Sequence, residues 1–405
     1  MPSTLPEGSV APADGRLPES SLAELATRTL SIYLHVPFCA TRCGYCDFNT
    51  YTASELGPLP GASRATYVDA AVQELEQAAR VLGSDAPEVS TIFVGGGTPT
   101  LLPPEDLGRM VTAVRDRFGL TADAEVTTES NPESIDSAGL EHLVEAGFNR
   151  ISFGMQSAVP HVLAVLDRVH SPGRPEQAVA EARAAGFAST SLDLIYGTPG
   201  ESQPDWQQSL DAALTAQPDH VSAYALIVED GTRLATQVRG GRLPMTDDDD
   251  LADKYLMAER ALTAAGLTAY EVSNWARTPA DRCLHNVAYW QGGNWWGIGP
   301  GAHSHVGGTR WWNVKHPAAY ASRLAEDASP AYARELLTDD DRRVERVLLE
   351  LRLTDGLDLA VLTRSEQRRV PDLVARGLAE LHGHRLVLTL PGRLLADGVV
   401  RDLLD

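Results

Sequence analysis

The sequence predicts an α/β fold: a partial (β/α)6 barrel followed by a small C-terminal winged-helix-like α+β domain. Three observations carry this. Short apolar runs alternate with helical periodicity from Leu30 to about residue 270, residues capable of chemistry fall where the apolar runs end, and a different pattern of helices and a hairpin begins near residue 338.

The candidate strands are Ser31–His35, Thr91–Val94, Glu125–Glu129, Arg150–Gly154, Ser191–Ile195 and His220–Leu226. Between them Tyr67–Leu82 carries apolar residues at helical spacing, and Ser137–Ala146 and Glu176–Ala185 each run into a terminating glycine, Gly147 and Gly186. The acidic run after Thr246 opens a further helix, where negative charge favours the dipole, and Gly266 closes it. Strands alternating with helices imply a parallel sheet with helices outside, and chemistry at the C-terminal strand ends. The cysteine-rich loop follows the first strand, Gly95–Pro99 the second, Glu129 the third, Gln156 the fourth and Asp193 the fifth.

Four segments result. Residues 1–29, rich in Pro, Ser, Gly and acidic side chains, read as a disordered leader. Residues 30–270 form the barrel. Residues 271–337 form a motif-bearing cover segment, within which Cys283–Trp312, rich in Gly, Trp and His with few helix signals, reads as an ordered loop or cover. Residues 338–405 form the last domain: a helix from Thr338, a second over Arg369–Leu381, and a hairpin of His384–Leu390 and Arg393–Leu395 around Pro391 and Gly392.

Composition narrows the function. The chain has 405 residues, 43% of them hydrophobic and 22% charged, which is ordinary for a soluble enzyme-sized protein. No apolar run approaches the ~20 residues of a membrane span, and the N-terminus lacks the basic start and apolar core of a signal peptide. A cytoplasmic location is expected. A net charge of −21 argues against nucleic acid as a partner. Three of the four cysteines lie within eight residues, which suits metal or redox chemistry better than a disulfide scaffold.

Those three, Cys39, Cys43 and Cys46, are spaced C-x₃-C-x₂-C. Thiolates ligate iron–sulfur clusters, and a cubane has four irons, so three cysteines leave one iron open. Structural zinc with Cys283 or His35 as fourth ligand is the plainer alternative, but zinc ligands usually come as two separated pairs. Downstream, Gly95-Gly96-Gly97-Thr98-Pro99 lets backbone approach a ligand closely, although a glycine turn by itself is weak evidence.

The cysteine spacing and its flanks resemble the radical S-adenosylmethionine (SAM) superfamily. Tyr33, His35, Pro37 and Phe38 before Cys39 resemble its oxygen-independent coproporphyrinogen III oxidase-like branch, from about Leu30 to the C-terminus. The resemblance implies a radical SAM barrel, with a [4Fe–4S] cluster on Cys39, Cys43 and Cys46 whose open iron takes SAM. It implies that Tyr33 sits beside the cofactor, that Tyr45 packs on adenine, and that Gly96, Gly97 and Thr98 hold the methionyl amino group. Glu129, Gln156, Arg168 and Asp193 align with ligand-contacting positions. Each also has a plain reading as barrel-mouth packing or a salt-bridge partner.

Two functions within the family differ in class: an enzyme that decarboxylates coproporphyrinogen III, and a heme chaperone of the HemW type. The enzymes carry a further cysteine where this chain has Phe48, and a substantial ordered segment before the barrel. The motif His285-Asn286-Val287-Ala288-Tyr289-Trp290 resembles the H-N-x-x-Y-W motif of the chaperones. His285 could ligate heme iron, with Asn286, Tyr289 and Trp290 completing a heme site; the alternative is a buried polar–aromatic cluster. The expectation is a heme chaperone without the dehydrogenase activity, delivering heme to heme-accepting proteins. The family resemblance brings membrane-bound respiratory cytochromes among those acceptors, a peripheral place at the membrane, and a homodimer as an assembly it allows. A radical enzyme acting on RNA or another small molecule is the third reading, opposed by the acidity.

Overall fold

Alternation along the barrel strands decides what faces where. In Leu30–Val36 the residues Leu30, Ile32, Leu34 and Val36 are fully buried, and Ile92 and Val94, Ile151 and Phe153, and Leu192 and Leu194 repeat the pattern on later strands. These apolar sides meet the surrounding helices in one large core. The opposite sides carry Tyr33, Phe93, Glu129, Arg150, Ser152, Asp193, His220 and Ser222, all lining an internal cavity. Successive strand side chains point to opposite faces, so one face builds the core and the other the cavity.

The computed structural model describes residues 7–57, 61–168 and 170–404. Six parallel strands follow one another in the sheet: Leu30–Val36, Val89–Gly96, Leu120–Ser130, Arg150–Gln156, Ser189–Tyr196 and His220–Ala225. Helices Arg64–Leu82, Ser137–Glu145 and Arg174–Ala185 lie where periodicity predicts them. Asp248–Ala264 is capped by Asp247, whose carboxylate accepts from the Asp249 and Asp250 amides. The barrel does not close. The sixth strand pairs with Asn274–Ala276, and the first pairs on its free side with Asn294–Ile298. This is the partial barrel expected.

Four expectations need correction. The described part of the leader, residues 7–29, is not disordered. Ser9–Val10 pairs antiparallel with Ala331–Leu336, Glu19–Ala23 is helical, and Leu17 and Leu25 enter the core. Strand addition uses backbone groups, so it leaves no mark in composition; residues 1–6 lie outside the described residues. The cover segment carries regular structure where loop is expected: Asn294–Ile298, His303–Val306, Thr309–Asn313 and Ala331–Leu336 extend the barrel sheet, and Leu284–Trp290 and Pro317–Ala325 are helices. The C-terminal hairpin also lies elsewhere. Its strands are Ala379–His382 and Arg385–Leu388, turning at Gly383 with φ +63°, and Leu357–Asp358 adds a third. Pro391 sits in the first turn of the helix Leu390–Leu394, capped by the Thr389 hydroxyl, where a missing amide hydrogen costs nothing. The helix expected to reach Leu381 stops at Ala375. The last segment has its own apolar core, from Val347 to Leu403, beneath the helix Asp339–Glu350 with its Thr338/Asp341 capping box. Among the described residues no helix is long and apolar enough to cross a membrane.

Candidate functional site

The cavity inside the barrel has a volume of about 540 Å³, in the range of a small-molecule or cofactor site. Its rim carries the three cysteines and its floor the segment after residue 270.

At the rim, backbone hydrogen bonds pin the cysteine loop. The Cys39 amide donates to the Tyr51 carbonyl at 3.0 Å, Gly44 to Leu166 at 3.0 Å, and Thr98 to Phe38 at 2.8 Å. The last bond ties the loop to the glycine turn. A side chain at Gly97 would put its Cβ 2.4 Å from the Phe38 oxygen and 3.0 Å from the Cys39 sulfur, so only glycine fits there. All three thiols are free and half-buried. Burial pushes the Cys39 thiol up to about 11 and raises that of Cys46. The two candidate fourth zinc ligands are engaged elsewhere. His35 donates from Nε2 to the Asn49 carbonyl at 2.9 Å and accepts the Tyr33 hydroxyl at Nδ1, also at 2.9 Å. Buried Cys283 lies 3.6 Å from Glu125 Oε1, at the floor. Three thiols on one loop, with both candidate fourth ligands engaged elsewhere, suit a cubane, which takes one cysteine per iron and keeps an iron free.

Below the rim the strand-end residues converge. Glu129 Oε2 accepts the Gly96 amide at 3.0 Å, and burial, then the charge of Asp193, raises its carboxyl to about 7. Asp193 accepts the Ser152 hydroxyl at 2.9 Å and is likewise raised by burial. Gln156 has φ +62°, rare for a residue with a side chain, and its buried Oε1 has no hydrogen-bond partner. Arg168 donates from Nη2 to the Gly154 carbonyl at 2.7 Å and approaches the Cys43 sulfur at 3.9 Å, while its buried Nε is unpartnered. Tyr45 lines the cavity and packs against the small apolar cluster that runs from Val159 to Leu234, so the apolar packing expected as its plainer role is present. Unpartnered buried polar atoms facing one cavity, beside a glycine turn that admits no side chain, fit a polar cofactor such as SAM.

The floor is set by Glu125. Its carboxylate accepts the Leu284 amide at 2.7 Å and the His285 amide at 3.2 Å, capping the helix Leu284–Trp290 from within the barrel. His285 is 2% exposed and stacks on Phe93 with centroids 5.2 Å apart. The Thr91 hydroxyl donates to Ser31, so it accepts His285 Nδ1–H at 2.7 Å. Nε2 therefore keeps its lone pair, which accepts the Tyr289 hydroxyl at 2.8 Å. Burial lowers the imidazole to about 3, so it is neutral. Asn286 and Tyr289 also line the cavity, and Trp290 is not among its lining residues. Tyr289 meets Trp295 edge-on at 4.7 Å, while His303 stacks on Trp312 at 5.8 Å. Both the polar–aromatic cluster and an imidazole of ligand-competent tautomer are therefore present at one place.

Arg150, Ser152, His220, Ser222, Tyr224 and Asn274 also line the cavity and were not singled out in the sequence. Their signal was available in part: alternation back from Gln156 along the fourth strand puts Arg150 and Ser152 on the same face.

Comparison with known proteins supplies the context. The Radical SAM superfamily model matches residues 33–213, and the HemN C-terminal domain model matches residues 337–395. The chain is 55% identical over 383 residues to "Heme chaperone HemW" of Mycobacterium tuberculosis, covering 95% of this chain and 97% of that one. It is 32% identical over 378 residues to "Heme chaperone HemW" of Bacillus subtilis, covering 91% and 97%. Among solved structures, coproporphyrinogen III oxidase (HemN) from Escherichia coli matches with a TM-score of 0.81 at 24% identity, over 98% of this chain and 96% of that one; at that identity the likeness is one of fold.

Proposed function

We propose, from the premise that this chain belongs to the radical SAM superfamily and within it to the HemW branch, that it is a heme chaperone which binds heme and passes it to acceptor hemoproteins. The observation that carries the reading is that His285, Asn286 and Tyr289 of the H-N-x-x-Y-W motif line the same cavity whose rim holds Cys39, Cys43 and Cys46. Heme and the cluster then answer to one chamber, so occupancy at the rim can bear on what is held at the floor. When bound, the [4Fe–4S] cluster supplies an iron with an open position that the amino and carboxylate groups of SAM can chelate. Gly96, Gly97 and Thr98 would offer backbone to the cofactor, Gln156 and Arg168 their unpartnered polar atoms, Glu129 and Asp193 their carboxyls, and Tyr33 and Tyr45 their rings. His285 would ligate the heme iron through Nε2. Thr91, holding Nδ1–H, would fix that tautomer as partners of metal-bound imidazoles do, and the Tyr289 hydroxyl must leave Nε2 first. Trp290 would act through packing outside the cavity. Heme-accepting proteins, with membrane-bound respiratory cytochromes among them, would receive the cargo from a cytoplasmic donor peripheral to the membrane.

The test is heme titration of the purified protein. A Soret band that forms with wild type and is abolished or greatly weakened in His285→Ala supports the reading; equal uptake by both removes His285 from its role. Run beside it, an anaerobic assay with SAM and coproporphyrinogen III should give no protoporphyrinogen, and formation of that product would favour the dehydrogenase instead. Phe48, 47% exposed at the cavity mouth where the enzymes keep a fourth cysteine, supports the chaperone.

A further inference from the structure

Arg150 opens the fourth barrel strand and lines the cavity at its floor. It is 4% exposed, and its Nε and Nη2 are buried without a hydrogen bond. Among the described residues no side chain forms an ion pair with it; Glu125 and Asp193 act on it only through space. Both carboxylates are already committed, Glu125 to the Leu284 and His285 amides and Asp193 to the Ser152 hydroxyl. A guanidinium carries five donors in a planar fork that matches a carboxylate, and burying it with idle donors is costly. Nothing in the cofactor cradle uses it. Gln156, at the other end of the same strand, lies six residues on, about 20 Å of extended chain, so a SAM molecule held at the rim by its amino acid end does not bring that carboxylate to Arg150.

We propose that Arg150 is a carboxylate-anchoring residue at the barrel floor, whose fork pairs with a propionate side chain of the tetrapyrrole. The proposal rests on the heme reading above. It gives the floor two recognition elements on one ligand: His285 for the metal and Arg150 for the acid. A bidentate charge-assisted pair is among the stronger contacts available and specific in geometry.

Heme and heme dimethyl ester, which lacks the free acids, are titrated into wild type, Arg150→Met and Arg150→Lys, with SAM affinity measured on the same samples. Wild type should bind heme about tenfold more tightly than the ester. Arg150→Met should bind both alike, at the level of the ester, with SAM affinity unchanged, and Arg150→Lys should fall between. Equal binding of heme and ester by wild type overturns the proposal whether or not the variants fold. So does loss of SAM affinity in Arg150→Met with heme preference retained, which would assign the fork to the methionyl carboxylate. Millimolar sodium propionate should also raise the Tm of wild type but not of the variants. A propionate effect in a protein that takes up no heme would leave the anion site standing and sink the heme reading; no propionate effect in wild type would sink the site.

Discussion

Tyr289→Phe should tighten heme binding. In the structure the lone pair of His285 Nε2, the atom that would meet iron, accepts the Tyr289 hydroxyl at 2.8 Å, while Nδ1–H is held by Thr91. Ligation must break the first bond and can keep the second. A buried neutral hydrogen bond contributes about 1 kcal/mol net, so its removal should strengthen heme binding by roughly fivefold if the rest of the site is unchanged. The Phe ring can keep the edge-on contact with His285, at 4.8 Å between centroids, and with Trp295 at 4.7 Å. The same substitution leaves Nε2 buried without a partner in the free protein, which should lower its stability by about 1–3 kcal/mol. The assay is heme titration followed at the Soret band, paired with urea unfolding of the heme-free protein. Weaker or unchanged heme affinity in a folded Tyr289→Phe protein would refute the reasoning. A double-mutant cycle with His285→Ala checks the cause, because the gain should vanish when the imidazole is gone.

Gly97→Ala should prevent stable cluster assembly, because its Cβ would lie 2.4 Å from the Phe38 oxygen and 3.0 Å from the Cys39 sulfur; iron and sulfide analysis after anaerobic reconstitution, beside Gly398→Ala as a control where a Cβ meets only the end of the Arg401 side chain at 3.9 Å, reads this directly. Glu74→Gln should change the pH dependence of stability. Glu74 is 1% exposed, accepts the Tyr320 hydroxyl at 2.6 Å and the Gly299 amide at 2.8 Å, and is raised by burial from 4.5 to about 7. The folded state therefore holds its proton more tightly than the unfolded state, so its stabilisation is full below pH 4.5 and is lost as pH rises to 7. Wild type should lose about 3 kcal/mol more than Glu74→Gln over that window, and parallel denaturation curves across it would contradict this.

Much of the site was legible because its parts are local. Three cysteines within one loop, the glycine turn after a strand, and the six residues from His285 to Trp290 are each written in consecutive positions, where backbone connectivity itself holds the spacing. The barrel strands were legible for the same reason, since a period of two needs only neighbours. Arg150 was missed because a charged residue at a strand start reads as solvated; its burial comes from the floor segment, more than a hundred residues on. Ser9–Val10 and the strands after Asn294 were missed because edge pairing recruits backbone and asks little of composition. Pro391 and Gly392 suggest a turn in the sequence, although the same pair can open a helix when a hydroxyl caps it from Thr389.

The amino-acid sequence by itself determined the partial barrel, the thiolate triplet and the glycine turn beside it, because each depends on side-chain periodicity or on contacts a few residues long. Only the tertiary structure decided that the H-N-x-x-Y-W segment forms the floor of the chamber the cysteines open. Glu125 caps that helix from inside the barrel and Thr91 sets the His285 tautomer, and both bonds join residues some 160 and 194 positions apart. Such contacts exist only once the sheet has closed far enough to enclose them, and the lost water then makes each polar partner count.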